Sequence, residues 1–195
     1  DNVIIRENDP TRSLNPGFGD LVEDGNNGDF WNSFGAVALD LDFFNNGNPG
    51  HATFFADLPG NEGFLFQQGI AAEPNTSYTF SVDLAFEDNW DADTFIGLEY
   101  YGADDAFLLG LDEVQVTPAP GAGYQTFTIE ATTPTSPFLA FVRPVVRFGG
   151  GTGAAAELEA ATADNGVLLL TSDVADPRLC ADQHDADLVN GLDFG

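Results

Sequence analysis

The sequence contains no lysine and no methionine, and besides two histidines its only basic residues are five arginines. Against these stand 32 aspartates and glutamates, which give a formal net charge of −27. A surface this acidic repels the phosphates of nucleic acids and the headgroups of anionic membranes. There is also no apolar run long enough to form a membrane-spanning helix. We therefore expect no nucleic-acid partner and no membrane insertion.

Residues that often carry catalysis are also scarce. Cys180 is the only cysteine, so it cannot form a disulfide within the chain. His51 and His184 are the only histidines, which leaves few possible members for a Ser-His-Asp or Cys-His site and excludes a histidine-cluster metal site by number. Paired carboxylates carry no information, since among 32 acids some pair at any separation is expected. The sequence predicts that the protein is not an enzyme.

Apolar residues, in contrast, are abundant. Hydrophobic residues make up 43% of the 195 positions and include 18 phenylalanines, which is far too many for a disordered acidic tail. The chain is long enough for one domain with its own core. The excess of acid suits a halophilic or marine setting in which salt screens self-repulsion, although acids that only keep a Phe-rich protein soluble are an equally open explanation. No basic segment precedes an apolar stretch, so we expect a mature secreted chain whose signal has been removed.

Short strand-like runs dominate the rest of the sequence. In SYTFSVDLAF, apolar residues recur at every second position from Tyr78 to Phe86, the pattern of a strand with one buried face. Turn residues separate the runs. This spacing predicts an all-β fold, an antiparallel β-sandwich of the jelly-roll type. The predicted strands cover 51–58, 63–71, 77–87, 94–102, 106–116, 124–132, 138–148 and 166–173.

Two segments depart from this pattern. Residues 151–163 are rich in alanine and are compatible with either a helix or a strand. After Pro177 the chain becomes acidic and loses the strand pattern. We predict a jelly-roll domain over residues 1–174 and an acidic appendix over residues 175–195.

Several short motifs follow one another in a characteristic order: NPGFGD, DFWNSFG, HATFF, LFQQGIAAEPNTSYTFSVDL, GYQTFTIEATTP and ATADNGVLLL. This order resembles the noncatalytic carbohydrate-binding modules of the galactose-binding-like jelly roll, over roughly residues 13–173. The most specific part is QQGIAAEPNTSYTFSVD, where Gln67 or Gln68, Pro74, Tyr78 and Ser81 follow in the order typical of those modules.

The resemblance also implies a structural Ca²⁺. In such modules a glutamate after Gly-Phe binds an ion that joins the first strand to the last. Here Gly19 takes that place and the acid comes one residue later, at Asp20, while Asp164 matches the late acidic position. The resemblance therefore implies Asp20 and Asp164 as the calcium pair. The alternative is that Asp20 only caps a turn.

A carbohydrate-binding face needs flat rings and planar polar side chains. Arg143 and Arg147 share a face of one strand, and Pro144 between them predicts an edge strand or a bulge. The alternatives are that both arginines pair with acids and that Trp31 belongs to the core. Around Trp90, EDNWDAD is compatible with a second Ca²⁺ beside an exposed ring or with a solvated loop. The candidate binding residues are Trp31, Gln67, Gln68, Trp90, Tyr100, Tyr101, Arg143 and Arg147.

The tail contains one further calcium-like pattern. Counted from Asp182, DQHDADLVNGLD places Asn190 at the ninth position and Asp193 at the twelfth, which resembles one loop of a dockerin-type repeat. Other positions of that loop are degenerate, and a dockerin has two copies, so a cohesin partner is not implied. Asp182 and Asp193 are the predicted ligands.

These observations predict an extracellular, Ca²⁺-stabilised, noncatalytic module that binds a polysaccharide by ring stacking and by hydrogen bonds from glutamine and arginine. The alternative belongs to another class of protein. The same fold would suit a structural subunit of a matrix, surface layer or filament, self-assembling into a homopolymer through pairing of the DNVIIRE strand or the tail with a neighbour.

Overall fold

The computed structural model describes residues 31–39, 52–56, 58–67, 69–103, 108–152 and 160–171. None of its helices within these ranges has the length and apolar character needed to cross a membrane. The predicted DNVIIRE strand, the NPGFGD turn and the appendix at 175–195 lie outside the described residues. The strands are β1 Trp31–Gly35, β2 Val37–Leu39, β3 Ala52–Phe55, β4 Gly63–Gln67, β5 Ile70–Ala71, β6 Ser77–Phe86, β7 Asp93–Gly102, β8 Leu108–Val116, β9 Gln125–Thr132, β10 Leu139–Gly149 and β11 Ala160–Leu170.

The strands form two antiparallel sheets. The front sheet has the order β1-β4-β10-β7-β8, and β5 also pairs with β10. The back sheet has the order β2-β3-β11-β6-β9. Because the chain passes repeatedly from one sheet to the other, strands that are neighbours in a sheet are mostly distant in sequence. The antiparallel β-sandwich predicted from the sequence is confirmed.

The core lies between the two sheets and follows the alternation of the strands. The predicted apolar side of β6, including Phe80, Val82 and Leu84, is buried. Phe80 lies opposite Ile129 of β9 and Leu168 of β11, so the inner residues of the back sheet form continuous rows. From the front sheet, Leu65, Ile96, Leu98, Val142 and Phe148 complete this core. Burying one such side chain stabilises the fold by about 1.5–3 kcal/mol.

Pro144 does not mark a sheet edge, so the prediction of an edge strand is wrong. It lies in β10, between β7 on one side and β4 and β5 on the other. On the side of β4 and β5, β10 changes its partner strand: Val142 pairs with β5, whereas Val145 pairs with β4. A residue without an N–H is tolerated at this change of partner strand, because the ladder there is not continuous. The β7 ladder runs past Pro144, which faces Leu98.

Of the segment that suggested either a helix or a strand, residues 160–163 belong to β11 and residues 153–159 lie outside the described residues. Ala160, Ala161 and Ala163 are buried against β3 and β6. These alanines favour a helix by propensity, but here they lie in a strand, where their small side chains allow close packing of the back sheet.

Gly35, at the end of β1, should be far less tolerant of substitution than Gly123. Both have positive φ, 82° and 76°. A Cβ on Gly35 would lie 2.2 Å from the carbonyl oxygen of Glu62, whereas a Cβ on Gly123 would meet nothing within 4 Å. We expect Gly35→Ala to lower the free energy of unfolding by about 2–3 kcal/mol and Gly123→Ala by about 1 kcal/mol. Urea denaturation measures both, and equal losses would contradict the proposed clash.

Candidate functional site

The outer face of the front sheet brings together the two arginines singled out by the sequence. In β10, Val142, Val146 and Phe148 point into the core, so Arg143 and Arg147 point outward. The register then places Glu99 of β7 beside Arg143, and Phe95 beside Arg147. We call this surface, formed by the outward residues of β1, β4, β10, β7 and β8, the front face.

Arg143 lies within an aromatic and acidic group. Its guanidinium carbon is 4.4 Å from the ring centroid of Tyr101 and 4.9 Å from that of Phe66. Its Nη1 is 3.9 Å from Oε2 of Glu99, and the hydroxyl of Tyr101 donates to that same oxygen at 2.9 Å. The side chain is only 13% exposed. Ring stacking and the carboxylate together fix the guanidinium flat on the sheet.

Arg147 repeats this arrangement four residues further along β10. Its guanidinium carbon is 4.0 Å from the ring centroid of Phe95. Its Nε donates to Oε2 of Glu113 at 2.8 Å, and its Nη2 donates to the other oxygen of that carboxylate. Such two-pronged pairs have well-defined geometry. The side chain is 27% exposed, so this pair is the more accessible of the two.

Between and beside these pairs the front face is apolar. Val145 lies between the two arginines and is buried, although it points outward. Gly97 faces it from β7, where a Cβ would lie 2.8 Å from the carbonyl oxygen of Asp112. At the β1 side, the ring of Phe34 is 67% exposed and its centroid is 6.4 Å from that of Phe64. The front face thus carries rings, guanidinium groups and carboxylates on one continuous surface.

The alternative that both arginines pair with acids is confirmed, but it does not remove them from the surface. Each lies on an aromatic ring as well as beside a glutamate. Tyr101, Arg143 and Arg147 are therefore the sequence-predicted binding residues that the structure brings together.

Four other predicted binding residues are buried, which contradicts the expectation of exposed rings. Trp31 and Gln67 have no exposed surface, and Tyr100 points inward. Trp90 is 6% exposed, with its indole N–H donating to the Thr94 hydroxyl at 3.1 Å. Trp31, Gln67 and Tyr100 are buried because they occupy inward positions of strands. Trp90 is buried in the loop between β6 and β7, where its ring packs on Phe86 and Phe148. Gln68 lies outside the described residues, as do Asp20, Asp182 and Asp193.

The phenylalanines of the front face were not identified from the sequence. Phe64 and Phe66 alternate with the buried Leu65 in GFLFQ, and Phe95 alternates with Ile96 in TFIGLEYYG. With 18 phenylalanines in the chain, composition alone cannot distinguish outer from inner rings. The pairing of β10 with β7 would have identified Phe95, because it places Phe95 beside Arg147 and Glu99 beside Arg143.

The loop EDNWDAD is tied to the sandwich by its acids. Asp91 accepts hydrogen bonds from the backbone N–H of Thr152 at 3.1 and 3.2 Å, and Glu87 accepts from the N–H of Ala160 at 3.0 Å. In the described ranges there is no group of three acidic, histidine or cysteine side chains arranged to hold a metal ion. These contacts make the loop a structural element.

Asp164 is a buried carboxylate at a β-bulge. Its Oδ1 accepts from the N–H of Asn165 at 2.7 Å, and Asn165 has a φ of 51°. The register slips between Asp164, opposite Asp83, and Val167. A buried carboxylate is a ligand that Ca²⁺ uses, so this residue fits the predicted role. Its predicted partner Asp20 lies outside the described residues, and the calcium pair stays a prediction.

Tyr100 should resist ionisation in the native state. Burial raises its pKa well above the usual 10.0, and its hydrogen bond to Asp112, 2.7 Å long, acts in the same direction. Because the raised value belongs to the folded state, this stabilisation is complete below about pH 10, where free tyrosine ionises, and is lost as the pH rises further. In a spectrophotometric titration, Tyr100 should ionise only as the protein unfolds. Tyr100→Phe should remove that step, and simultaneous ionisation of all four tyrosines in folded protein would contradict the assignment.

No protein-family model and no curated protein matches the sequence. Among solved structures, the carbohydrate-binding module TmCBM61, in complex with β-1,4-galactotriose, matches with a TM-score of 0.51 and 16% identity. The match covers 82% of this chain and 98% of that module. A cyclase from Fischerella sp. TAU matches with a TM-score of 0.53 and 16% identity, over 81% of this chain and 95% of the cyclase.

A third match is to the enzymatically active domain of tailspike protein 4 from bacteriophage CBA120, with a TM-score of 0.52 and 12% identity. It covers 82% of this chain and 21% of the tailspike chain. At such identities the likeness concerns the fold. The chain is an antiparallel β-sandwich with the fold of carbohydrate-binding modules, a fold that a cyclase also has.

Proposed function

We propose that this chain is a noncatalytic carbohydrate-binding domain whose ligand lies on the front face. The observation that supports this most strongly is the repeated group of an aromatic ring, an arginine and a glutamate along β10 and its neighbours. Sugar rings have apolar faces that pack on aromatic side chains, and hydroxyl groups that both donate and accept hydrogen bonds. A surface that combines rings with guanidinium and carboxylate groups offers partners for each.

Each part of the front face has a separate role in this proposal. Phe34, the exposed ring of the front face, provides the apolar contact, while Phe95 and Tyr101 support the two guanidinium groups. The N–H groups of Arg147 donate to sugar hydroxyls, and the carboxylate of Glu113 accepts from them. Because ring stacking and the glutamates already fix the arginines, little side-chain entropy is lost when a glycan binds.

Affinity electrophoresis through gels containing single polysaccharides tests the proposal. We expect migration to be retarded by at least one neutral polysaccharide from a panel of β-glucan, galactan, mannan and xylan. The same samples should release no reducing ends, since the proposed role is binding and not cleavage. Unretarded migration in every gel would contradict the proposal, and polysaccharide cleavage would assign the fold a catalytic role.

We also propose that Ca²⁺, bound by Asp164 with Asp20, stabilises the domain, and that the domain works outside the cell in a saline medium. The buried carboxylate of Asp164 and the net charge of −27 support these two points. At about 1 M salt the Debye length is only ~3 Å, so the self-repulsion of such a chain largely disappears.

Thermal melting with Ca²⁺ or EDTA tests the ion. We expect EDTA to lower the melting temperature of the native protein, and Asp164→Asn to abolish that response. Glu130→Gln makes the same charge change at an exposed position of β9 and is the matched control. Equal melting with Ca²⁺ and EDTA would contradict the proposed site.

A structural subunit is the second candidate, and one observation favours it. β8 lies at the end of the front sheet and exposes Leu108, Leu111 and Val114. Exposed apolar edge strands can pair with a strand of another chain. Light scattering across a range of protein concentrations tests this, because strand pairing should give species larger than a monomer. A monomer at all concentrations would exclude it.

A further inference from the structure

We infer that the front face accepts uncharged glycan chains and rejects chains that carry carboxylate or sulfate groups. This inference rests on the proposed function and adds the chemical class of the ligand. The ring, arginine and glutamate groups of the front face carry the argument, since they determine what charge a ligand meets there.

The positive charge of the front face is fully matched by acids of the same face. Arg143 and Arg147 are the only lysine or arginine residues in the described ranges, because Arg6, Arg12 and Arg178 lie outside them. Glu99 lies beside Arg143, and Glu113 holds Arg147. Asp93, the first residue of β7, adds a further exposed carboxylate, which accepts a hydrogen bond from the side-chain amide of Gln115 at 2.7 Å. Three negative charges therefore oppose two positive ones.

A charged glycan would meet each arginine beside a carboxylate that already neutralises it, or would have to displace that carboxylate. Arg147 donates to both carboxylate oxygens of Glu113 through its Nε and Nη2 groups. A uronate or sulfate would bind an arginine with this same two-pronged geometry. Displacement would leave the glutamate carboxylate facing the ligand's own anion. The net charge of −27 adds a long-range repulsion to this local one.

A neutral glycan has no such competition. Sugar hydroxyls can donate to the carboxylates of Glu99 and Glu113, and they can accept from N–H groups of Arg147 that do not face Glu113. A guanidinium has five N–H donors in total, and Glu113 engages two of them on Arg147. The paired charges thus act as fixed hydrogen-bonding groups and leave no unmatched cation for an anionic ligand.

The test compares retardation in gels of neutral polysaccharides with retardation in gels of alginate, polygalacturonate and carrageenan. Gels are run from about 0.15 M to about 1 M salt, because at the higher value the long-range repulsion is screened and only local contacts decide. The wild-type protein should be retarded by a neutral gel with little dependence on salt, and by no anionic gel. Cationic polymers are left out, since a chain of −27 binds them without specificity.

The decisive variant is the double substitution Glu99→Gln with Glu113→Gln, which keeps the shape of both side chains but removes the negative charge beside each arginine. We expect it to acquire retardation in at least one anionic gel. The matched control removes the same two charges at exposed positions away from the front face, with Glu130→Gln of β9 and Asp88→Asn in the loop after β6. That control should stay unretarded in anionic gels. If the double variant does not fold by circular dichroism, Glu113→Gln alone serves, since this pair is the more exposed.

The outcomes separate the two proposals. Retardation of the wild-type protein by an anionic gel would overturn the inference but leave carbohydrate binding standing. A folded variant that gains no anionic binding would overturn it as well, because the glutamates would then not be what excludes anions. If no gel of either kind retards the wild-type protein, the proposed function itself fails.

Discussion

Trp90→Ala should lower the free energy of unfolding by about 3–5 kcal/mol, a loss typical of a large aromatic residue removed from a core. The indole ring packs edge-on against Phe148, with centroids 5.3 Å apart, and lies 5.9 Å from the ring of Phe86. Its N–H is satisfied by Thr94. Removal would therefore leave a cavity at the end of the core and take one hydrogen bond from the Thr94 hydroxyl, which still donates to the carbonyl of Ala92. Urea denaturation measures the loss.

Trp90→Phe is the matched control for this prediction. It keeps an aromatic ring against Phe86 and Phe148 but removes the hydrogen bond, so it should cost clearly less than the alanine variant. A typical buried hydrogen bond contributes about 1 kcal/mol, and a smaller ring adds some loss of packing. If Trp90→Ala left stability unchanged and weakened polysaccharide binding, Trp90 would be the exposed platform that the sequence suggested, and its burial would be contradicted.

Tyr101→Ala should weaken polysaccharide binding at least tenfold, which corresponds to about 1.4 kcal/mol. The ring is half-buried on the front face, under the guanidinium of Arg143, and its hydroxyl donates to Glu99. Its loss removes the ring that supports the Arg143 guanidinium and the hydrogen bond that orients Glu99, so the preorganisation of both groups is weakened. Phe95→Ala should act similarly beside Arg147. Affinity electrophoresis at several polysaccharide concentrations gives the ratio of dissociation constants.

Thr128→Ala provides the control for both ring variants. Thr128 is exposed on β9, at the edge of the back sheet, and does not belong to the front face. Its substitution should leave binding within about twofold. If the Thr128 variant lost binding while the Tyr101 and Phe95 variants kept it, the ligand would lie on the back sheet.

The fold was predictable because one face of most strands is buried. In β6 the alternation from Tyr78 to Phe86 follows the buried positions, and the turns between strands contain the expected Gly, Pro and Asn residues. Pro144 was misinterpreted, because the rule that proline avoids central strands is local. A proline can lie in a central strand where the neighbouring strands change, as they do here between β5 and β4, and the sequence around Pro144 does not reveal that change.

The candidate site was predictable only in part. The spacing of Arg143 and Arg147 placed them on one face, which the strand period alone determines. Which aromatic residues lie beside them depends on the pairing of β10 with β7 and β4, and a sequence without registers contains no such information. Tryptophan was also a misleading guide. Both Trp31 and Trp90 fill the core, where their large surface contributes most to stability.

The most direct test of the front face as a binding site is an NMR titration of backbone amides with an oligosaccharide cut from the neutral polysaccharide that is best retained in gels. We expect chemical-shift changes to concentrate in β4, β7, β8 and β10, around Arg143 and Arg147, with β6 and β9 almost unchanged. Shifts confined to β6 and β9, or to the ends of the sandwich, would contradict a carbohydrate site on the front face.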